Sequence, residues 1–304
     1  MVDPLAEMVE LLQPGALLSK LATGSGAWSV TRHPTGQPFY CVVLEGGSRC
    51  HVDGHEPLEL QPGDFVLIPS GFGFEMSGLV EAPGQQVDPQ TATALLEEIR
   101  HGDPAAPVNA RLLIGHFRFG SPDAALLVSM LPRLVHIRGE PLLSTLVHMV
   151  SEEARGQRPA RDMVLQRLLE VLLIEALRSG KGTAASSGLL RGLADPRLAP
   201  AIRRMHEAPA HPWTVALLAR EAALSRSAFF ERFNRALGVA PMEYLLFWRM
   251  ALAKRLLQRR EGNVAEIAER VGYGSAATFS TAFTRTVGMP PAQYGRFAAA
   301  AAQA

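Results

Sequence analysis

The chain has 304 residues, 47% of them apolar and 19% charged, with 30 Lys and Arg against 29 Asp and Glu. This length corresponds to about two domains, and the apolar fraction excludes wholesale disorder. The near-neutral total hides a split: from residue 201 onward 14 basic residues face 7 acidic ones, a net of +7, whereas the first 200 residues carry 16 against 22, a net of −6. An acidic half joined to a basic half is the charge pattern of a control module tied to a polyanion-binding module.

No stretch of about 18 apolar residues is free of charge, so no membrane-spanning helix is expected. The opening MVDPLAEMVELL is acidic and amphipathic, unlike the basic start of a signal peptide. The chain has 2 cysteines, too few for a disulfide framework, which points to a reducing cytoplasm.

Pro4 opens a first helix, with Leu5, Met8, Val9, Leu11 and Leu12 at helical spacing before Pro14-Gly15 stops it. Short strands follow: GAWSVTR, then PFYCVVLE and SRCHVDG joined as a hairpin by Gly46-Gly47, then PLEL, the Pro62-Gly63-Asp64 turn and FVLIP. Residues 81–107 read as a loop with one short helix near TALLEEIR, and RLLIGHFRFG (111–120) resumes the strand pattern. So many short strands and turns predict a small β-barrel or sandwich. After Pro141 the apolar period becomes that of a helix. Leu142, Leu143, Leu146, Val147 and Val150 line one helix. A second, through Val164, Leu165, Leu168, Leu169, Val171, Leu172, Leu173, Ile174 and Leu177, is apolar most of the way round and needs a partner surface. The small residues of GKGTAASSG (180–188) read as a linker.

The last hundred residues contain an internal duplication. VALLAREAAL (215–224) lies over VAEIAERVGY (264–273), and after Gly274 the offset settles at 50. In that register Ser225 matches Ser275, Phe229 Phe279, Phe233 Phe283, Arg235 Arg285, Gly238 Gly288, Pro241 Pro291 and Tyr244 Tyr294. Each copy has the grammar of a helix-turn-helix: a short apolar helix, a tight turn, and a second helix with Ser225 or Ser275 as N-cap. Asn263 and Glu266 form a capping box at the start of the second copy. Phe229 and Phe233, four apart, pin one face of the second helix to the core. Gly238 and Gly288 stop these helices, with prolines soon after. Between the copies, PMEYLLFWRMALAKRLLQRR is one connector helix of about 18 residues, or about 27 Å. That length holds two reading helices near one turn of B-DNA apart, about 34 Å.

These residues carry a resemblance. SRSAFFERFNRALGVAPMEYLLFWRMALAKRLL and VAEIAERVGYGSAATFSTAFTRTVGMPPAQY resemble the DNA-binding domain of AraC-type (AraC/XylS) transcription regulators over about residues 200–296. DPLAEMVELL, FYCVVLEGG, PGDFVLIPSG and HPWTVALLA are similar to the subgroup with an N-terminal cupin-like sensor domain. The resemblance implies an α+β protein of two domains. A cupin-like β-barrel with trailing helices (1–180) senses or dimerises, 181–198 is linker, and an all-α double helix-turn-helix (199–304) binds promoter DNA. It further implies a transcription regulator, an activator by family habit, that works in the cytoplasm as a homodimer with RNA polymerase and a small-molecule effector as further partners. No catalytic residue, cofactor or metal is expected. The strand-borne metal ligand of cupins falls on Cys41 and a later one on Phe74, while His33, His51, His55 and His116 lack ligand spacing. The alternative is a metal-dependent cupin enzyme fused to a nucleic-acid-binding module, which metal analysis would separate.

On the first reading helix, helical spacing turns Ser227, Phe230, Glu231 and Asn234 outward, with Arg226 at the lip and Arg235 nearby. Glu231 suits a cytosine amino group, and Phe230 suits thymine methyls. The second reading helix offers Ser275, Ala276, Ala277, Ser280, Thr281, Thr284 and Arg285. Its small side chains favour backbone and shape contacts, and Thr281 stands where the family usually has Arg. Arg249, Lys254, Arg255, Arg259 and Arg260 on or after the connector are expected phosphate contacts. Cys41 and Cys50 flank the expected Gly46-Gly47 hairpin and read as buried apolar side chains, with a redox pair as the sharper alternative.

Overall fold

Two twelve-residue strands, β1 (Pro14–Ser25) and β10 (Val108–Phe119), pair antiparallel and form the middle of the larger of two sheets. The computed structural model describes residues 3–33, 37–69, 72–80, 85–86, 98–121, 124–129, 131–156, 158–179 and 188–301. Among the described residues the remaining strands are β2 (Ser29–Arg32), β3 (Phe39–Gly46), β4 (Ser48–Val52), β5 (Leu58–Leu60), β6 (Phe65–Ile68), β7 (Phe74–Ser77), β8 (Gln85–Gln86), β9 (Glu98–Gly102) and β11 (Val135–Ile137). Six of the eleven form the order β11-β6-β3-β10-β1-β9, and five the order β5-β4-β7-β2-β8.

Neither sheet closes on itself, so the expected barrel is two open sheets around one core. Alternate residues of each strand point inward: Phe39, Cys41 and Val43 from β3, Ala110 and Leu112 from β10, Cys50 and Val52 from β4, Phe74 and Met76 from β7. The expected hairpin across Gly46-Gly47 does not form, because β3 lies in the six-stranded sheet and β4 in the five-stranded one. The chain changes sheets there instead. Gly46 takes φ 73°, and a Cβ on it would fall 1.9 Å from the Asn109 carbonyl oxygen, so only glycine fits that crossing. Cys41 and Cys50 are therefore not neighbours on one hairpin; they enter a shared core from different sheets, fully buried and unbridged.

Two other expectations are corrected. β1 begins where the first helix was to be followed by a turn, and Glu98–Gly102 is a strand rather than the end of a short helix. The rest of that expected helix, and residues 180–187 of the expected linker, lie outside the described residues. After the sheets come α2 (Ala124–Ser129), α3 (Pro141–Arg155) and α4 (Arg161–Ser179). Leu143, Leu146, Val147 and Val150 of α3 are buried, as are Leu165, Leu169, Leu172, Leu173 and Leu177 of α4. Leu142, expected on the same face, is exposed, as are Met149, Met163, Val164 and Val171.

The chain divides into two compact units, one of residues Leu12–Leu190 and one of Met1–Leu11 with Arg191–Ala304. The boundary differs from the expected one. A short helix, α5 (Leu189–Ala194), occupies the expected linker, and α1 (Pro4–Leu12) packs, up to Leu11, with the C-terminal helices. That second unit continues with α6 (Leu198–Glu207), α7 (Val215–Glu221), α8 (Arg226–Leu237), α9 (Pro241–Gln258), α10 (Val264–Arg270), α11 (Ala276–Val287) and α12 (Pro291–Ala301). Within it His206, fully enclosed, donates from Nδ1 to Glu7 at 3.0 Å, which leaves Nε2 to accept from the Tyr244 hydroxyl at 2.7 Å. Its ring centroid lies 3.9 Å from that of Trp248. No described helix is long and apolar enough to cross a membrane.

Candidate nucleic-acid interface

The duplication seen in the sequence is a duplication of geometry. Thr214 caps α7 by accepting from the Leu217 amide at 3.2 Å, and Ser225 caps α8 by accepting from Ala228 at 3.3 Å. In the second copy Asn263 and Glu266 form the capping box on α10, and Ser275 accepts from Thr278 at 3.2 Å to cap α11. Gly238 and Gly288 end α8 and α11. Each cap satisfies an amide that would otherwise be orphaned and fixes where its reading helix starts.

The buried side of each reading helix is an aromatic ladder. Phe229 and Phe233 lie 5.5 Å apart, and Phe233 meets Tyr244 edge-on at 5.7 Å and 72°. The second copy repeats this: Phe279 and Phe283 at 5.4 Å, Phe283 and Tyr294 at 5.6 Å and 71°. Edge-to-face rings at these separations are favourable beyond their burial and fix the helix rotation. The rotation decides which side chains are free.

On α8 the free face is Arg226, Ser227, Phe230, Glu231, Asn234 and Arg235, all exposed. Phe230 is 41% exposed and lines a shallow cleft with Val215, Arg226, Ser227 and Glu231. Arg232 also faces out, but its guanidinium holds Asp195 at 2.6 Å. On α11, Ser275, Ala277, Thr281 and Arg285 are exposed, while Ala276, Ser280 and Thr284 are half-buried. The Thr281 hydroxyl donates to the Ala277 carbonyl at 3.1 Å. Ser275 is engaged at its own cap. The second helix therefore presents one long polar side chain, Arg285, on an otherwise small surface.

The connector α9 spans 18 residues, the length expected, but most of its cations are turned to the fold. Arg249 is half-buried and donates to the carbonyls of Pro209 at 2.8 Å and His211 at 2.9 Å, and burial lowers its pKa. Lys254 is buried over the Tyr294 ring. Arg255 pairs with Glu10 at 3.2 Å and is only 16% exposed. These contacts fasten α9 to the α6–α7 loop, to α12 and to α1. Arg259 and Arg260 are exposed past the end of α9. Sequence reasoning missed Glu7, Glu10 and His206 as structural partners of this unit, since contacts between residues about 200 apart leave no local trace.

The comparisons with known proteins follow this division. Residues 3–180 match a cupin family, and residues 218–296 match a helix-turn-helix domain family. A protein of Streptomyces lividans named as an AraC-like transcription regulator is 35% identical over 96% of this chain and 98% of its own length. The chain belongs to the AraC-type transcription regulators. RclR of Escherichia coli strain K12, an RCS-specific HTH-type transcriptional activator, is 25% identical over 96% of this chain and 97% of its own length. Among solved structures, the DNA-binding domain of AdpA in complex with a target DNA is 33% identical over 34% of this chain and 91% of that one, with a TM-score of 0.32. As a member of the family this regulator binds DNA through its double helix-turn-helix, and its cupin unit is of the kind that fits ligand sensing. Among the described residues no group of three or more His, Cys, Asp or Glu side chains could hold a metal ion.

Proposed function

We propose that the regulator reads its promoter chiefly through α8, with Arg226, Ser227, Phe230, Glu231, Asn234 and Arg235 as the reading set. In this reading α11 follows the groove by shape, with Ser275, Ala276, Ala277, Ser280, Thr281 and Thr284 in close approach and Arg285 on phosphate. The observation that carries it is the contrast between the helices: α8 frees polar side chains of base-edge length, whereas α11 frees short ones and engages the Thr281 hydroxyl on its own backbone. Binding-site selection from random duplexes with the full chain tests it. The expected half-site is strongly defined under one motif and weakly defined, with a preference for groove width, under the other.

The cytoplasmic regulator acts as a homodimer and as an activator that meets RNA polymerase at the promoter. Support for the dimer comes from Leu142, Met149, Met163, Val164 and Val171, large apolar side chains left exposed on α3 and α4, Met163 to 66%. Isolated exposed apolar residues are ordinary, but five on two successive helices offer more apolar surface than a lone monomer needs to expose, and a second copy would cover it. Because Leu169 and Leu173 are buried in their own unit, the informative substitutions are Met163→Glu and Val171→Glu. These should shift the chain to monomer in sedimentation velocity without unfolding it. Activation is supported by the activator named among the relatives, and the Leu12–Leu190 unit takes the small-molecule effector.

A further inference from the structure

One inner end of the two-sheet core holds a basic cluster that the DNA interface does not use. Arg32 ends β2 in the five-stranded sheet, opposite Phe74 of β7 and on the same inward face as Val30 and Met76. His116 projects inward from β10, two residues beyond Ile114, which also packs on the core. Lys20 of β1 is the residue paired with Ile114, and it is 1% exposed. Three basic side chains from both sheets thus converge at one inner end.

Their arrangement is fixed. His116 Nδ1 donates to the Pro38 carbonyl at 3.2 Å, so its Nε2 is an acceptor and takes an N–H from Arg32. That bond orients the guanidinium while using one of its five donors. The other donors of Arg32 meet no acceptor among the described residues. Burial alone lowers the Arg32 pKa, and burial with the charges of Arg32 and Lys20 lowers that of His116 to about 3. No carboxylate contributes to either shift, so this inner end of the fold carries positive potential where the dielectric is low. Beside it stand aromatic walls: Phe39 lies 5.2 Å from the His116 ring and 4.5 Å from Phe74, ring to ring.

A planar fork with free donors, held by a neutral imidazole and flanked by phenyl rings, has a matching ligand chemistry. We propose that Arg32, positioned by His116 and with Lys20 adding charge, anchors the carboxylate of a small effector whose apolar body lies along Phe39 and Phe74. The proposal rests on the reading of this unit as the effector domain. Arg pairs with carboxylates through two parallel N–H bonds, which an ammonium cannot do.

The test is calorimetric titration of the full chain with phenylacetate and hexanoate, alongside the neutral phenylacetamide and hexanamide. Arg32→Gln, Arg32→Lys and His116→Gln are compared with the parent, and DNA binding with thermal unfolding verifies that each variant folds. The expected result is carboxylate binding to the parent, weakened at least tenfold by Arg32→Gln and only partly restored by Arg32→Lys, with the amides at least tenfold weaker throughout. Should the amides bind equally well and Arg32→Gln leave affinity unchanged, the anchor is overturned while the effector domain stands. If neither acids nor amides bind the parent, the anchor and the effector reading fall together. If Arg32→Gln does not fold, the parent's preference for acid over amide and the Arg32→Lys titration decide the matter alone.

Discussion

Ala223 holds the same backbone conformation as Gly272, its counterpart in the second helix-turn-helix: φ is 50° at the alanine and 82° at the glycine. Both turns close identically, with Leu224 N–H donating to Ala219 at 2.9 Å and Tyr273 N–H to Ala268 at 2.8 Å. The left-handed conformation costs an L-residue about 1–2 kcal/mol, and Arg197 helps hold it by donating to the Ala223 carbonyl at 2.9 Å. Ala223→Gly should therefore stabilise the C-terminal unit by about 0.5–1 kcal/mol, the strain relieved less the added unfolded-state entropy. Gly272→Ala should do the reverse and more. Its Cβ would stand 2.9 Å from the Ala210 backbone and 2.7 Å from Arg249 Nη2, a loss of about 2 kcal/mol or more. Thermal unfolding of the two variants checks both signs.

The Glu7–His206–Tyr244 chain makes the same unit sensitive to acid. Burial lowers the His206 pKa from 6.5, and the Glu7 hydrogen bond and charge only partly oppose it. Above pH 6.5 the imidazole is neutral whether the chain is folded or not, so no stability depends on it there. Below 6.5 the unfolded state takes up a proton that the folded state refuses, and stability falls by about 1.4 kcal/mol per pH unit until the folded pKa is reached. The difference in unfolding midpoint between the parent and His206→Phe, followed from pH 8 to 5, should change along that slope. A flat difference would show that the ring titrates freely.

The two thiols should be inert in the native protein. Burial, with the neighbouring Cys50, holds Cys41 well above its ordinary range, and burial pushes Cys50 up to about 12. Thiolate is the reactive form, so neither should react with a disulfide reagent at pH 8 until denaturant is added, when both should react at once. Stoichiometric labelling without denaturant would restore the redox alternative that the sequence left open.

How far the sequence disclosed these sites follows from the range of the interactions that make them. The caps at Ser225, Asn263 and Ser275 and the anchors Phe229, Phe233, Phe279 and Phe283 act within one helical turn, and the duplication writes each of them twice. They were legible. Gly46-Gly47 was misread because a hairpin turn and a sheet-to-sheet crossing require the same residues, and only the partner strands distinguish them. β1 was missed because LLSKLATG lacks a strand's strict alternation; its twelve residues are held by β10, about ninety residues away. The connector contacts were invisible for a related reason: the sequence shows that the connector carries Arg249 and Arg255, but not that Pro209, His211 and Glu10 engage them.

The division of labour between α8 and α11 yields the sharpest expectation. Base readout depends on polar side chains that reach base edges, each good pair giving about 1–3 kcal/mol of discrimination. Glu231 and Asn234 are exposed and make no bond with another side chain among the described residues, whereas Thr281 already donates to Ala277. Glu231→Ala or Asn234→Ala should relax specificity at one or two base pairs, and Thr281→Ala should change it little. Arg285→Ala should weaken binding to every sequence and reduce the salt slope by about one unit. Arg249→Ala, which frees the Pro209 and His211 carbonyls, should lower the unfolding midpoint instead, with DNA affinity lost only as folded protein is lost. Titrations against matched and mismatched duplexes at several salt concentrations separate these outcomes. If Thr281→Ala lost more discrimination than Glu231→Ala, α11 would be the main reader, and the assignment to α8 would fail.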